Sequence, residues 1–395
     1  MRKKSDFWHR VISNERGTVL AFVAVSLVGL LGIAGLALDS GRAYVKRSEL
    51  SRAVDAAALG GAAALRQSQA DAEQRIITLA KANGVDPALL NYSFGVNAAG
   101  ENTVSVSASE TVPTTFMRVL GRDQVGVVAA AEATVPPLDL VLVLDQSGSI
   151  AREGAWDDLQ NAAKDFIDNF NESIDQVGLV SFQVRAGQHV PLGQPFRANV
   201  RAAIDAMTSV GDTNTGEGLR VGKETLVNGP TRNRSVQVVV FFTDGRPTAF
   251  RGMVGGQDRA VAVSTRITGN VRGYFDNPDA LPLNQIARAD GCQGVPSCFG
   301  MNENAVRARG RAKGQQEADR IRSDNIYLFT IGLGNPNNPD PILTPDMDYL
   351  RELANEDGVT DPSQPQGSAY FAPTAAELDD VFDAVAQDIL VRLSK

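Results

Sequence analysis

The chain has 395 residues, 43% of them hydrophobic, enough for two cored domains plus a membrane segment. Its formal net charge of -8 argues against nucleic acid, whose phosphates favour a basic face. With only two histidines, His9 in the tail and His189, and two cysteines, Cys292 and Cys298, a Ser-His-Asp triad or a His/Cys zinc site is nearly excluded.

Residues 1–16 form a basic tail. From 17 to 38, "GTVLAFVAVSLVGLLGIAGLAL" carries no charge. As a helix it extends about 33 Å, enough for a hydrocarbon layer of about 30 Å. A cleaved secretory signal is the rival reading, but the run exceeds the usual signal core and lacks a clear small-x-small cleavage site, so a retained transmembrane helix is predicted. Arg2, Lys3, Lys4, Arg10 and Arg16 precede it, while Arg42, Lys46, Arg47 and Arg52 follow. The slight excess places the tail in the cytoplasm and the bulk of the chain on the periplasmic or exterior side of a bacterial inner membrane.

Residues 40–84 are rich in Ala and free of Pro, which predicts helix continuing from the membrane. Their small residues would admit close approach of another helix, either a partner's or one of the same domain. In the stretch 92–135 the period changes. "TVSVSAS" and "QVGVVAAAEATV" read as strands, and Pro136–Pro137 mark a boundary. Residues 39–135 are thus a small α+β unit.

From 137 to 395 strands and helices alternate. "LDLVLVL", "VGLVSF", "SVQVVVFFTDG" and "NIYLFTIG" are buried strands, and "QHVPL" is a short one. The helix 153–170 presents Leu159, Ala163, Phe166, Ile167 and Phe170 on one face. Further helices are expected at 197–208 and 215–227. A C-terminal helix opens with a capping box, Thr374 and Glu377. This alternation predicts an α/β fold with a doubly wound, mainly parallel sheet. Residues 246–302 break the rhythm and read as an insertion, functional or disordered. Cys292 and Cys298 lie within it and are either a local disulfide or free thiols. Arg307, Arg309, Arg311 and Lys313 read as a solvated helix face.

Ligands in such sheets bind beyond the carboxyl ends of the strands. Asp145 ends the first strand, with Ser147 and Ser149 just after it in "DQSGS". Asp244 ends another in "FFTDG", and Thr213 precedes a helix in "GDTNTGEGL". Two carboxylates and three hydroxyls suit a hard divalent cation and leave it electrophilic. A phosphohydrolase would need a second Asp where Ser147 stands. "GEGLRVGKET" fails as a phosphate loop, with Glu217 and Glu224 where Gly and Ser or Thr are required.

"DQSGS", Thr213 and "TDG" resemble the metal-ion-dependent adhesion site of von Willebrand factor type A domains, over roughly 137–395. The resemblance implies Mg²⁺ or Mn²⁺ held by Ser147, Ser149 and Thr213. Asp145 and Asp244 would act directly or through water, and an acidic residue of a protein partner would complete the shell. "D-x-G-R-x-Y" and "A-x-D-A-A-A-L", within the first 65 residues, resemble the start of TadG-like proteins of the bacterial tight-adherence (Flp) pilus system. Where a prepilin peptidase substrate carries Glu, five residues after Gly17, this chain has Phe22. Together the resemblances imply a membrane-anchored, non-enzymatic protein engaging pilus-assembly or envelope partners. A pilus-like subunit with a purely structural metal is the alternative.

Overall fold

A computed structural model describes residues 15–98, 100–230, 232, 234–263, 269–334 and 346–392. The basic tail, His9 included, lies outside them except at its last two residues. Two compact units emerge, one from 1–96 and 103–134, the other from 97–102 and 135–395.

In the first unit, helix α1 (Glu15–Leu65) contains the uncharged run and is long and apolar enough to cross a membrane, with a mean hydropathy of 2.6 over its most apolar window. It does not run on to residue 84. The chain breaks after Leu65, and Ser68 caps a second helix, α2 (Gln69–Ala82), through the Asp71 N–H. A serine able to bond the backbone ahead of it supplies the stop and the new start. Gly60 and Gly61 face Leu79 and Ile76 of α2 so closely that a Cβ at either would overlap them. The small residues of 40–84 therefore serve a helical hairpin within the unit. Strands β1 (Leu90–Val96), β2 (Asn102–Pro113) and β3 (Gln124–Val135) form a sheet in that order. Val104, Val106 and Ala108 alternate inward on β2, as period-two patterning requires.

The second unit has an α/β fold. Its strands are β4 (Leu138–Asp145), β5 (Gln176–Phe182), β6 (Ala186–Gly193), β7 (Val236–Thr243), β11 (Tyr327–Leu333) and β12 (Ala369–Ala372), in the order β12-β11-β7-β4-β5-β6. Pairings are parallel except for β6, which runs antiparallel to β5. Pro191, which cannot donate to a ladder, sits in that edge strand. Leu138, Leu140, Leu142 and Leu144 point to one core, with α4 (Trp156–Asp168), α5 (Arg197–Asp205) and α9 (Leu378–Arg392). Val141 and Val143 point to the other, with α6 (Thr215–Val227), α7 (Glu303–Ser323) and α8 (Met347–Ala354). The expected face is buried at all five positions, with Phe170 just past the end of α4. The Thr374–Glu377 capping box is formed, opening a short 3-10 turn that leads into α9.

The insertion is ordered where described. Strands β8 (Ala249–Val254), β9 (Gln257–Val263) and β10 (Val271–Asp276) make an antiparallel sheet. Gly255 and Gly256, with φ of +59° and +83°, form the tight turn between the first two, a conformation natural to glycine. Phe250, Val261, Val263, Val271 and Val306 pack into a small core together with Cys298, which is disulfide-bonded to Cys292 at a Cα separation of 5.6 Å. The basic run on α7 is not uniformly solvated, since Arg311 pairs with Asp346 and Glu352 and stacks over Tyr349.

Candidate metal centre

Chain order creates a switch point in the sheet. From β4 the chain moves outward through β5 and β6, then returns to the other side of β4 for β7. Adjacent strands whose connections leave in opposite directions open a crevice at their carboxyl ends. Asp145 is the last residue of β4, and Asp244 follows the last residue of β7, so the two acids flank that crevice.

Three loops are laced together there. Asp145 accepts from the Ser147 N–H at 2.8 Å and from the Thr243 hydroxyl at 2.6 Å. The hydroxyls of Ser147 and Ser149 lie 3.0 Å apart, and Ser147 reaches Asp244 at 3.4 Å. Ser209 donates to the Ser147 carbonyl at 2.6 Å, and the Gly148 N–H to the Gly211 carbonyl at 3.2 Å, holding the 209–213 loop against the first. Thr213 in turn accepts at its carbonyl from the N–H groups of Thr248 and Ala249, which follow β7. Asp145, Ser147, Ser149 and Asp244 thus form one hydrogen-bonded cluster. Thr213 is buried on the adjoining loop, and among the described residues its hydroxyl makes no direct hydrogen bond to the other four.

Both buried carboxyls are disfavoured in their charged form. Burial, and then repulsion from Asp244, push the Asp145 carboxyl well above the ordinary range. Burial pushes Asp244 up to about 6, against hydrogen bonds from Ser149 and Ser147. One Asp244 oxygen, Oδ2, is buried with no hydrogen-bond partner. Partial desolvation, then the Asp244 charge, push Glu153 at the end of the short helix α3 (Gly148–Arg152) up to about 7. Asp212, beside Thr213, is paired instead with Arg272 of the insertion, and burial still raises its carboxyl above the usual range.

Among the described residues no three His, Cys, Asp or Glu converge as a metal cluster. The donor set here is two carboxylates with neutral hydroxyls, and its orphaned oxygen fits a hard cation. His189 lies elsewhere, on β6, where its Nε2 meets the Ser181 hydroxyl at 2.7 Å, and that hydroxyl also bonds Gln146 at 2.8 Å. No carboxylate among the described residues hydrogen-bonds His189, so the pair is not a triad. Sequence reasoning missed Thr243, which orients Asp145 and stands next to Asp244 in "TDG". It also missed Arg272, whose distance along the chain from Asp212 leaves no local signal.

Residues 139–293 match the von Willebrand factor type A domain, and residues 17–64 match the putative Flp pilus-assembly TadE/G-like family. No curated protein matches the sequence. Among solved structures, the vWF domain of the type V pili tip protein Mfa5 from Porphyromonas gingivalis is 18% identical, covering 67% of this chain and 98% of that one, with a TM-score of 0.44. The D319A mutant of the PilB minor pilin from Streptococcus sanguinis is 15% identical over 77% of this chain and 79% of that one, with a TM-score of 0.45. Proximal thread matrix protein 1 from the mussel byssus is 17% identical with a TM-score of 0.39, and the match spans 65% of this chain but only 47% of that protein. At these identities the likeness concerns the fold alone. The profile matches and the mainly parallel sheet agree on one description: this chain carries a von Willebrand factor type A domain behind a TadE/G-like N-terminal region.

Proposed function

We propose that the chain is a single-pass, non-enzymatic inner-membrane protein of a Flp/Tad-type pilus or adhesion system. Its type A domain, 137–395 with the 246–302 insertion, faces the periplasm or exterior and binds a divalent cation, Mg²⁺ or Mn²⁺, to engage an acidic residue of a protein partner. The observation that carries this reading is the buried, unpartnered Oδ2 of Asp244 beside a second buried carboxylate, Asp145. Two desolvated acids facing each other are costly unless a cation is shared between them. Ser147, Ser149 and Thr213 would supply neutral oxygen donors, and Thr243 holds the Asp145 carboxylate by its hydroxyl. When bound, the ion supplies an open coordination position for a foreign carboxylate. A solved structure of the mussel byssus protein is described as having a zinc-occupied MIDAS motif, which makes cation binding a natural question to put to this chain.

The test is calorimetric titration of the detergent-solubilised, chelator-treated chain with Mg²⁺ and Mn²⁺, beside partner capture from envelope extracts with and without chelator. Saturable binding abolished by Asp145→Ala, with chelator-sensitive capture, is expected. No binding, or binding indifferent to Asp145→Ala, sinks the proposal. Metal binding with capture unaffected by Asp244→Ala leaves the metal a purely structural role.

A further inference from the structure

The tip joining β2 to β3 does the reverse of what a solvated turn does. Residues 114–123 include Phe116, Met117, Val119 and Leu120. Val119 is 87% exposed and Leu120 79%. Among the described residues of the unit nothing covers them, yet the tip is firmly fastened. Asp39, the first charged residue after the uncharged run, is buried and accepts from the backbone N–H groups of Thr115, Phe116 and Met117 at 2.9, 2.8 and 2.7 Å. Arg42 donates to the Thr115 hydroxyl at 3.2 Å. The Thr114 N–H closes the tip on the Asp123 carbonyl at 3.0 Å.

The depth of this attachment identifies the occupant. Phe116 lies against Gly35 so closely that a Cβ there would overlap its ring. Gly35 is inside the uncharged run, about 6 Å along the helix axis from Asp39. The tip therefore stands beside the last turn of the membrane-crossing stretch, where Leu36 and Leu38 are also exposed. Arg118, ion-paired with Asp123 at 3.3 Å, lies among its apolar residues and Arg122 just after them. Tyr44 projects outward from α1 about two turns beyond Leu38, the position where interfacial aromatic side chains collect.

We infer that residues 116–120 are a second membrane contact, inserting Phe116, Val119 and Leu120 into the interfacial layer of the same bilayer that α1 crosses, with Arg118 and Arg122 at headgroup level. The inference rests on the reading of α1 as a membrane anchor. A surface held beside the end of a spanning helix meets lipid first, which favours the bilayer over a second protein. A two-point attachment also limits how α1 can tilt and rotate, a role known for interfacial anchors.

The test uses the full chain in vesicles of phosphatidylethanolamine and phosphatidylglycerol. With Cys292 and Cys298 bridged, a thiol introduced by Leu120→Cys or by Val25→Cys is the single free one. Each is labelled with nitrobenzoxadiazole and quenched by lipids bearing a nitroxide near the carbonyl or near the chain end. The Val25 label is expected to be quenched by the deep nitroxide. The Leu120 label is expected to show blue-shifted emission and to be quenched chiefly by the shallow one. A quenched Val25 label with an unquenched Leu120 label in a water-like environment overturns the inference while leaving the anchor intact. So does shielding of Leu120 without lipid quenching that grows with protein-to-lipid ratio, which would mean a second copy covers the tip. If neither label is quenched, the anchor reading fails and takes the inference with it.

Discussion

At its two ends, strand β4 treats a buried carboxylate in opposite ways. Near its base, Asp139 is buried and answered by Arg232, whose Nε reaches it at 2.9 Å. At its top, about 20 Å away along the strand, Asp145 is equally buried but meets only neutral donors and a second acid, Asp244. Asp212 stands between these cases, with its cation, Arg272, delivered by the insertion. Asp139 and Asp212 each meet an arginine directly, whereas among the described residues Asp145 and Asp244 have no direct ion pair, and the Arg152 charge is the last of the influences on Asp244. A buried acid pair without a direct ion-pair partner is what the proposed cation would answer.

That contrast can be broken in four places. The largest effect is expected at the base. Arg232→Ala strands Asp139 as an unpaired buried charge and should cost about 3–5 kcal/mol, read as a lowered midpoint in chemical denaturation. A midpoint close to wild type would mean that Asp139 does not need its partner and that the contrast is empty. Next, cation at about a hundred times its Kd should stabilise the wild type by about 2.7 kcal/mol. Thermal melting with and without Mg²⁺ should show that gain disappear in Asp244→Asn, and a surviving gain would place the ion elsewhere. Third, Arg272→Ala should cost about 2 kcal/mol, less than at the base, because burial already holds the Asp212 carboxyl high and a proton can replace the lost cation. Denaturation compared at pH 5 and 8 should show the smaller cost at the lower pH.

The smallest effect belongs to an exposed acid. Hydrogen bonding to Arg251 holds the Asp279 carboxyl below the usual range, so its folded value is depressed relative to the unfolded chain. Such a group stabilises the fold above the unfolded value and loses that contribution as pH falls through the folded one. The Asp279 side chain is 68% exposed, so solvent screening limits Asp279→Asn to about 0.5 kcal/mol at pH 7. The difference from wild type should vanish in strong acid, and a loss of several kcal/mol at pH 7 would contradict the distinction between buried and solvated pairs.

Much of this was legible in the chain. Fully buried parallel strands need apolar side chains on both faces, so "LDLVLVL" and "VQVVVFFT" announce themselves without their neighbours. The oxygens of "DQSGS" and "TDG" follow those strands directly, so a correct strand assignment carries Asp145 and Asp244 to the same sheet edge. The helix break at Ser68 was hidden by an Ala-rich run without proline, where the stop depends on one capping hydroxyl. In the insertion, the paired glycines Gly255 and Gly256 were a hairpin signal that its loop-like composition obscured.

The sequence by itself determined the alternation that builds the type A sheet, the uncharged run of α1 and the donors that end two strands, because each is written in contiguous residues whose period or composition has a local physical meaning. Tertiary structure alone decided which buried acids receive a cation, that the insertion folds around its own core, and that a β-hairpin tip is tied to Asp39 at the end of the apolar helix. Arg232, Arg272 and the 114–123 tip act on residues dozens of positions away. Such pairings appear only when folding has closed those loops, because no local period encodes them.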